Sequence, residues 1–194
     1  LCEIAARIRG DFRILLNNRL MKDEELNKLF LPVDFDGPPE ATKKNVKTKK
    51  DAQQVLENGG TVIILPSGGV ATRWKFGLGP LEELPWSTFA AKIIMKSKAS
   101  VVPVNFEGEN SAAFHMASSI SESARLSLFI REVTRRMGTT IKFKIGNPIH
   151  FKEMEQLEGR KILTEFLKKK VDELSSKSPR NKFLALPKFL KKSA

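Results

Sequence analysis

"TVIILPSGGVATRW", residues 61–74, runs from five apolar or β-branched residues directly into proline, serine and two glycines. Thr61, Val62, Ile63, Ile64 and Leu65 suit a strand covered on both faces, as in an α/β sheet. Pro66 removes a ladder donor, so the strand is expected to stop there. Gly68 and Gly69 lack a Cβ. At the carboxyl end of a buried strand such residues serve one of two purposes: they make a tight turn, or they let backbone N–H groups approach a ligand, often an anionic one.

Outward from this stretch, strands and helices alternate. "FRILL" (12–16) reads as a strand, "DEELNKLF" (23–30) as a short helix, and "LPVDFDGPPEAT" (31–42) as a short strand and a proline-rich loop. Thr48 and Asp51 have capping-box spacing, and Ala52, Val55 and Leu56 make an apolar stripe that "NGG" (58–60) ends, which predicts a helix between them. "WSTFAAKIIMKSK" (86–98) and "SARLSLFIREVTRRM" (123–137) have helical spacing. "SVVPVNFEG" (100–108) predicts a strand broken by Pro103, and "TTIKFKIGNPI" (139–149) an edge or half-exposed strand. The expected fold is α/β, a mixed, mostly parallel sheet flanked by helices. One domain over residues 1–178 and a basic, partly apolar tail over 179–194 accommodate the 194 residues.

The net charge of +12 and pI near 9.9 call for a polyanionic partner, an anionic membrane surface or nucleic acid. "KKNVKTKK" (43–50) concentrates cations ahead of the predicted helix. The tail carries Arg180, Lys182, Lys188, Lys191 and Lys192 among Phe183, Leu184, Leu186, Phe189 and Leu190, a mixture that suits either an interfacial membrane segment or a solvated extension. Nucleic acid is the weaker partner, because the chain has no tyrosine and its phenylalanines sit mostly on apolar faces. No run reaches the ~20 apolar residues of a spanning helix. There is no signal-peptide pattern, and the lone Cys2 fits a reducing compartment. "LCEIAARIRG" (1–10) reads as the middle of a helix, which predicts further residues ahead of Leu1.

The usual chemical motifs are missing. No Gly-Lys-Ser/Thr follows the glycines, and "FGLGPLEE" (76–83) lacks the third glycine of a dinucleotide fingerprint. One cysteine and two histidines cannot supply a common zinc set, so no metal site is expected. Ser67 sits in no nucleophile elbow. His115 has no evident carboxylate partner in sequence and reads as structural or surface, while His150 reads as a residue at the entry of a helix.

Taken in order, "VIILPSGGVAT" (62–72), "PWSTFAAKIIMKSKASVVPVNFEGENS" (85–111) and "RLSLFIREVTRRMGTTIKFKIGNPI" (125–149) resemble successive blocks of the glycerolphosphate/lysophospholipid acyltransferase superfamily, most of all its bacterial hemolysin-like branch. The resemblance covers about residues 7–170. "RGDFRILLNNRLM" (9–21) looks like the strand and turn of the acceptor-binding block, "LPSGGVA" (65–71) stands where the family has Phe-Pro-Glu-Gly-Thr-Arg, and "VVPVNFEG" (101–108) matches the Val-Pro-Val strand. The resemblance implies an O-acyltransferase of phospholipid biosynthesis, peripheral at the cytoplasmic membrane face. It would move a fatty acyl group from acyl-coenzyme A or acyl carrier protein, with no bound cofactor, to a lysophospholipid or related lipid acceptor. Pro66, Ser67, Gly68, Gly69 and Arg73 would then line the acceptor site.

Two departures qualify that picture. Ser67, Gly69 and Val70 replace the family's Glu, Thr and Arg, which leaves Arg73 or Lys75 as the nearest cation for an anionic headgroup or, equally, as a solvated charge. The family's His-x4-Asp pair, base and orienting acid, is found nowhere in the chain; its nearest imitation is His150 with Glu155. The resemblance therefore places the catalytic base upstream of Leu1 and predicts that this chain alone is inactive. The competing reading is a non-catalytic basic module that binds anionic lipid or nucleic acid.

Overall fold

The computed structural model describes residues 2–17, 28–33 and 39–175. α1 (Cys2–Ile8) leads into β1 (Phe12–Asn17), which is the centre of a parallel three-stranded sheet between β2 (Phe30–Val33) and β3 (Thr61–Ile63). Ile14 stands opposite Phe30 on one side and Ile63 on the other. The alternation of β1 divides the core. Phe12 and Ile14 pack with Ile63, Phe30 and Ala5 of α1, whereas Leu15 packs with Leu31, Val33, Ala52 and Ile93. Ala52 belongs to α2 (Pro39–Glu57) and Ile93 to α3 (Phe89–Ser97), so these two helices cover the Leu15 face, while α1 touches the other through Ala5.

α2 begins at Pro39, nine residues before Thr48, so the expected capping box does not form and "KKNVKTKK" lies within the helix. Proline suits a first helical position, where its missing N–H costs nothing, and lysine is a good helix former. Thr48 is buried instead, its hydroxyl donating to the Pro32 carbonyl and fixing the helix to the edge of β2. The helix ends as expected at "NGG": Gly59 has φ +78°, and the Gly60 N–H donates to the Val55 carbonyl at 2.8 Å. The helix expected at 23–30 lies outside the described residues except for 28–30, where Phe30 already belongs to β2. The tail, 179–194, also lies outside them.

Beyond β3 the expected single sheet gives way to small antiparallel ribbons. β4 (Thr72–Arg73) pairs with β5 (Leu81–Glu82). β6 (Val104–Phe106) pairs with β7 (Phe143–Ile145), and Val101 bridges Ile149. Pro103 has no N–H to donate; its carbonyl accepts from Gly146, so this segment bonds to the β7 side. α4 (Ala112–Ile120) and α5 (Glu122–Arg136) fill the connection between β6 and β7. α4 went unread in the sequence. α6 (Phe151–Met154) and α7 (Arg160–Glu173) close the chain, with Met154, Leu163 and Leu167 packed on Ala91 and Ile94 of α3. No helix among the described residues is long and apolar enough to cross a membrane.

Candidate active site

The opening stretch meets a different end from the one expected. β3 stops at Ile63, at the edge of its sheet, and Leu65 is 54% exposed. The glycines after it have separate duties. Gly68 has φ +63°, and its N–H donates to the Leu65 carbonyl at 3.0 Å, closing a turn that residues with a Cβ disfavour. At Gly69 a Cβ would fall 2.6 Å from Leu84 Cδ1, so its bareness lets the chain pass against the segment after β5. The Ser67 hydroxyl donates to the Gly69 carbonyl at 3.1 Å, and the Pro66 carbonyl accepts from the Ser87 N–H at 2.9 Å. The turn is thus tied to the approach to α3.

Arg73 is engaged on every side. Its Nε and Nη2 donate to the two Glu109 oxygens at 2.6 and 3.1 Å, its Nη1 donates to the Gly79 carbonyl at 2.8 Å, and its backbone N–H donates to His115 Nδ1 at 3.2 Å. The hydrogen bonds it donates to Glu109 hold the guanidinium above its ordinary pKa. Any anion at this loop has to compete with that bidentate pair. His115 is 2% exposed on α4. Nδ1 accepts, and Nε2 has no hydrogen-bond partner among the described residues and lies 3.8 Å from Glu109 Oε2. The ring pins β4 to α4, and a substrate has no access to it. His115 is thus buried and not at the surface, and its carboxylate neighbour, Glu109, six residues away across the α4 N-terminus, was missed.

Glu132 of α5 is a buried carboxylate, 4% exposed, accepting from the Ser111 N–H at 3.0 Å and from the Ser111 hydroxyl. Ser111 in turn caps α4 by accepting from the Phe114 N–H. Burial alone would push the Glu132 pKa up; the Ser111 hydrogen bonds and the charges of Arg135 and Arg136 prevail and hold it below its ordinary value. His150 sits at the entry of α6 as expected, its N–H donating to Glu153 Oε1 at 2.8 Å.

Two clefts flank the β4–β5 ribbon and share Val70 as a wall. One, of about 150 Å³, is bounded by Thr72, Trp74, Glu82, Leu84 and Arg125. The other, of about 180 Å³, is bounded by Ala71, Phe106, Glu109, Arg136 and Ile141. Both are therefore lined by residues that follow the Gly68–Gly69 turn, and each receives one arginine of α5. Among the described residues no cluster of His, Cys, Asp or Glu has the makings of a metal site.

A model of a family described as acyltransferase matches residues 2–178. The chain belongs to the acyltransferase family. It is 26% identical over 170 residues to a lyso-glycine lipid O-acyltransferase of Phocaeicola vulgatus, an alignment that covers 82% of this chain and 56% of that protein. A protein of the same description from Bacteroides thetaiotaomicron is likewise 26% identical over 170 residues, with 82% and 58% covered. The chain thus spans a little over half the length of these curated relatives. No solved structure matches it.

Proposed function

We propose that this acyltransferase-family chain forms the acceptor-side scaffold of an O-acyltransferase that moves a fatty acyl group from a thioester of coenzyme A or acyl carrier protein to a lyso-lipid. The family match across residues 2–178 carries this reading. In the reaction a base takes the proton of the acceptor hydroxyl as its oxygen attacks the thioester carbonyl. The tetrahedral adduct then expels the thiolate, which leaves with a proton. Neither histidine of the chain suits the base, since His115 is buried with its Nδ1 committed and His150 stands at a helix entry. In this proposal the base is supplied by a part of the protein outside these residues.

Loop 66–69 and Arg73 form one wall of the acceptor site in this proposal. Val70 stands where family members carry the arginine, and Arg73 is paired with Glu109. An acceptor named for an amino acid in place of a phosphate agrees with such a wall, and the two relatives are named for a lyso-glycine lipid. The enzyme works as a peripheral protein at the cytoplasmic membrane face, where the +12 charge suits both anionic lipid and an acidic carrier.

A thiol-release assay tests the proposal. The 194-residue chain is expected to show no turnover above background, since a positioned base supplies about a hundred- to ten-thousandfold. The longer protein is expected to acylate lyso-glycine lipid faster than lysophosphatidic acid. Turnover by the chain alone that disappears in His115→Ala or His150→Ala overturns the missing base. A longer protein inert toward every lyso-lipid and thioester overturns the enzyme reading in favour of a non-catalytic lipid-binding module.

A further inference from the structure

Glu109 occupies Arg73 in the way a substrate anion would. Nε and Nη2 form one edge of the guanidinium, and the two Glu109 oxygens fill that edge at 2.6 and 3.1 Å. Nη1, on the other side, donates to the Gly79 carbonyl at 2.8 Å. A guanidinium grips a phosphate through the same paired N–H groups that it offers a carboxylate, so a phosphate gains a two-bond seat on Arg73 only by displacing Glu109. The carboxylate is held in place for that role. Arg136 donates to the Glu109 backbone carbonyl, and the buried His115 brings Nε2 to 3.8 Å from Oε2. Arg73 is fixed separately, through its backbone N–H to His115 Nδ1. With the Arg73 and Glu109 side chains 27 and 34% exposed, a solute at the surface can still reach the pair.

Charge in the two clefts leads to the same result. The chain carries +12, yet the first cleft sets Glu82 and Glu83 against Arg125, and the second sets Glu107 and Glu109 against Arg136. Lys168, 3.8 Å from Glu83, and Lys144, 3.7 Å from Glu107, bring each group to balance. Among the described residues, neither cleft offers the excess of positive charge that a phosphate dianion calls for. We propose that Glu109 sets the headgroup class of the acceptor: as a resident anion on Arg73 it excludes acceptors that end in a phosphate monoester and leaves the wall to uncharged or singly charged headgroups. It acts through Arg73 and is thus a positioning residue. The headgroup statement rests on the acyl transfer and acceptor wall proposed above; the block on Arg73 does not.

Titration of the 194-residue chain with glycerol 3-phosphate, followed by NMR at the Arg73 Nε–H resonance, tests the block. The native chain is expected to show no shift with millimolar probe, a result that needs no variant. Glu109→Gln keeps the shape of the side chain and removes its charge. It is expected to bind the probe at least about tenfold more tightly at low salt, because a charged competitor for the same N–H groups has gone. The gain should fade as salt rises and disappear in Glu109→Gln with Arg73→Gln. A shift in the native chain, a folded Glu109→Gln that gains no binding, or a gain that survives the loss of Arg73 overturns the proposal. In the longer protein, Glu109→Gln is expected to lower the Michaelis constant for lysophosphatidic acid about tenfold, with kcat and the constant for lyso-glycine lipid little changed. A purely structural role would disturb both acceptors alike, so a ratio of the two constants that does not move overturns the headgroup role. A longer protein that acylates no lyso-lipid, beside a Glu109→Gln chain that gains the phosphate, leaves the block on Arg73 in place and removes the function proposed above.

Discussion

The two halves of this molecule are held together by different physics. Around the parallel sheet, Leu15, Leu31, Val33, Ala52 and Ile93 shed water against one another, with α2 and α3 sealing that face. Around the β4–β5 ribbon and the α4–α5 pair, the joints are polar: Arg73 to Glu109, Arg73 to His115, Ser111 to Glu132, and Arg136 to the Glu109 carbonyl. The first half spends its apolar residues inward. The second leaves many of them on the surface, Phe76, Leu78, Ile120, Ile130 and Ile145 among them. A region joined by a few directional bonds keeps its apolar groups free for a partner, and it is open to pH and to single polar substitutions in a way a packed core is not.

Ile93→Ala should break the contrast most sharply. Ile93 is fully buried in the sheet-side cluster, so its truncation is expected to cost about 2–5 kcal/mol in urea unfolding, with little dependence on pH. Ser111→Ala removes two bonds at once, the one its hydroxyl donates to the buried Glu132 carboxylate and the α4 cap it accepts from the Phe114 N–H, and should cost about 1–3 kcal/mol.

The same joint sharpens the comparison through pH. Glu132 titrates below its ordinary value of 4.5 in the folded protein, so it contributes stability above that pH and loses it as pH falls through the folded value. Glu132→Gln should accordingly be destabilised at pH 7, and its gap to the native chain should shrink in acid unfolding measured below about 4.5. A gap that stays constant with pH would assign the effect to packing.

The glycines of the opening loop mark the small end of the scale. Gly68→Ala forces a side chain into the left-handed region and should cost about 1–2 kcal/mol. Gly69→Ala meets only the end of the half-exposed Leu84 side chain, which can move aside, so a stability loss under about 1 kcal/mol, read as a small fall in the thermal midpoint, is expected. In the longer protein the acceptor Michaelis constant, measured beside that midpoint, separates a binding wall from a plain turn: a rise in Gly69→Ala with an unchanged fold supports the wall.

Much of this architecture was legible in the residues. The alternation of Phe12, Ile14 and Leu15 divides β1 between two clusters, the stripe in "FAAKIIMKS" (89–97) is the buried face of α3, and "NGG" ends α2 where Gly59 must turn left-handed. Such features are local: periodicity encodes which side is dry, and a turn needs only its own glycine. The ordered blocks also sufficed to indicate the acyltransferase family. Other features were decided between segments far apart in the chain. Whether β6 extends the parallel sheet or pairs with β7 depends on which backbone partner the folded chain brings near, and no periodicity states that. Arg73 meets Glu109 across thirty-six residues, and Glu132 meets Ser111 across twenty-one. The side chain that the bare Gly69 backbone passes is that of Leu84, fifteen places on. Composition and spacing determine which groups must leave water; only the closed tertiary structure selects the partners each buried charge and bare backbone finds there.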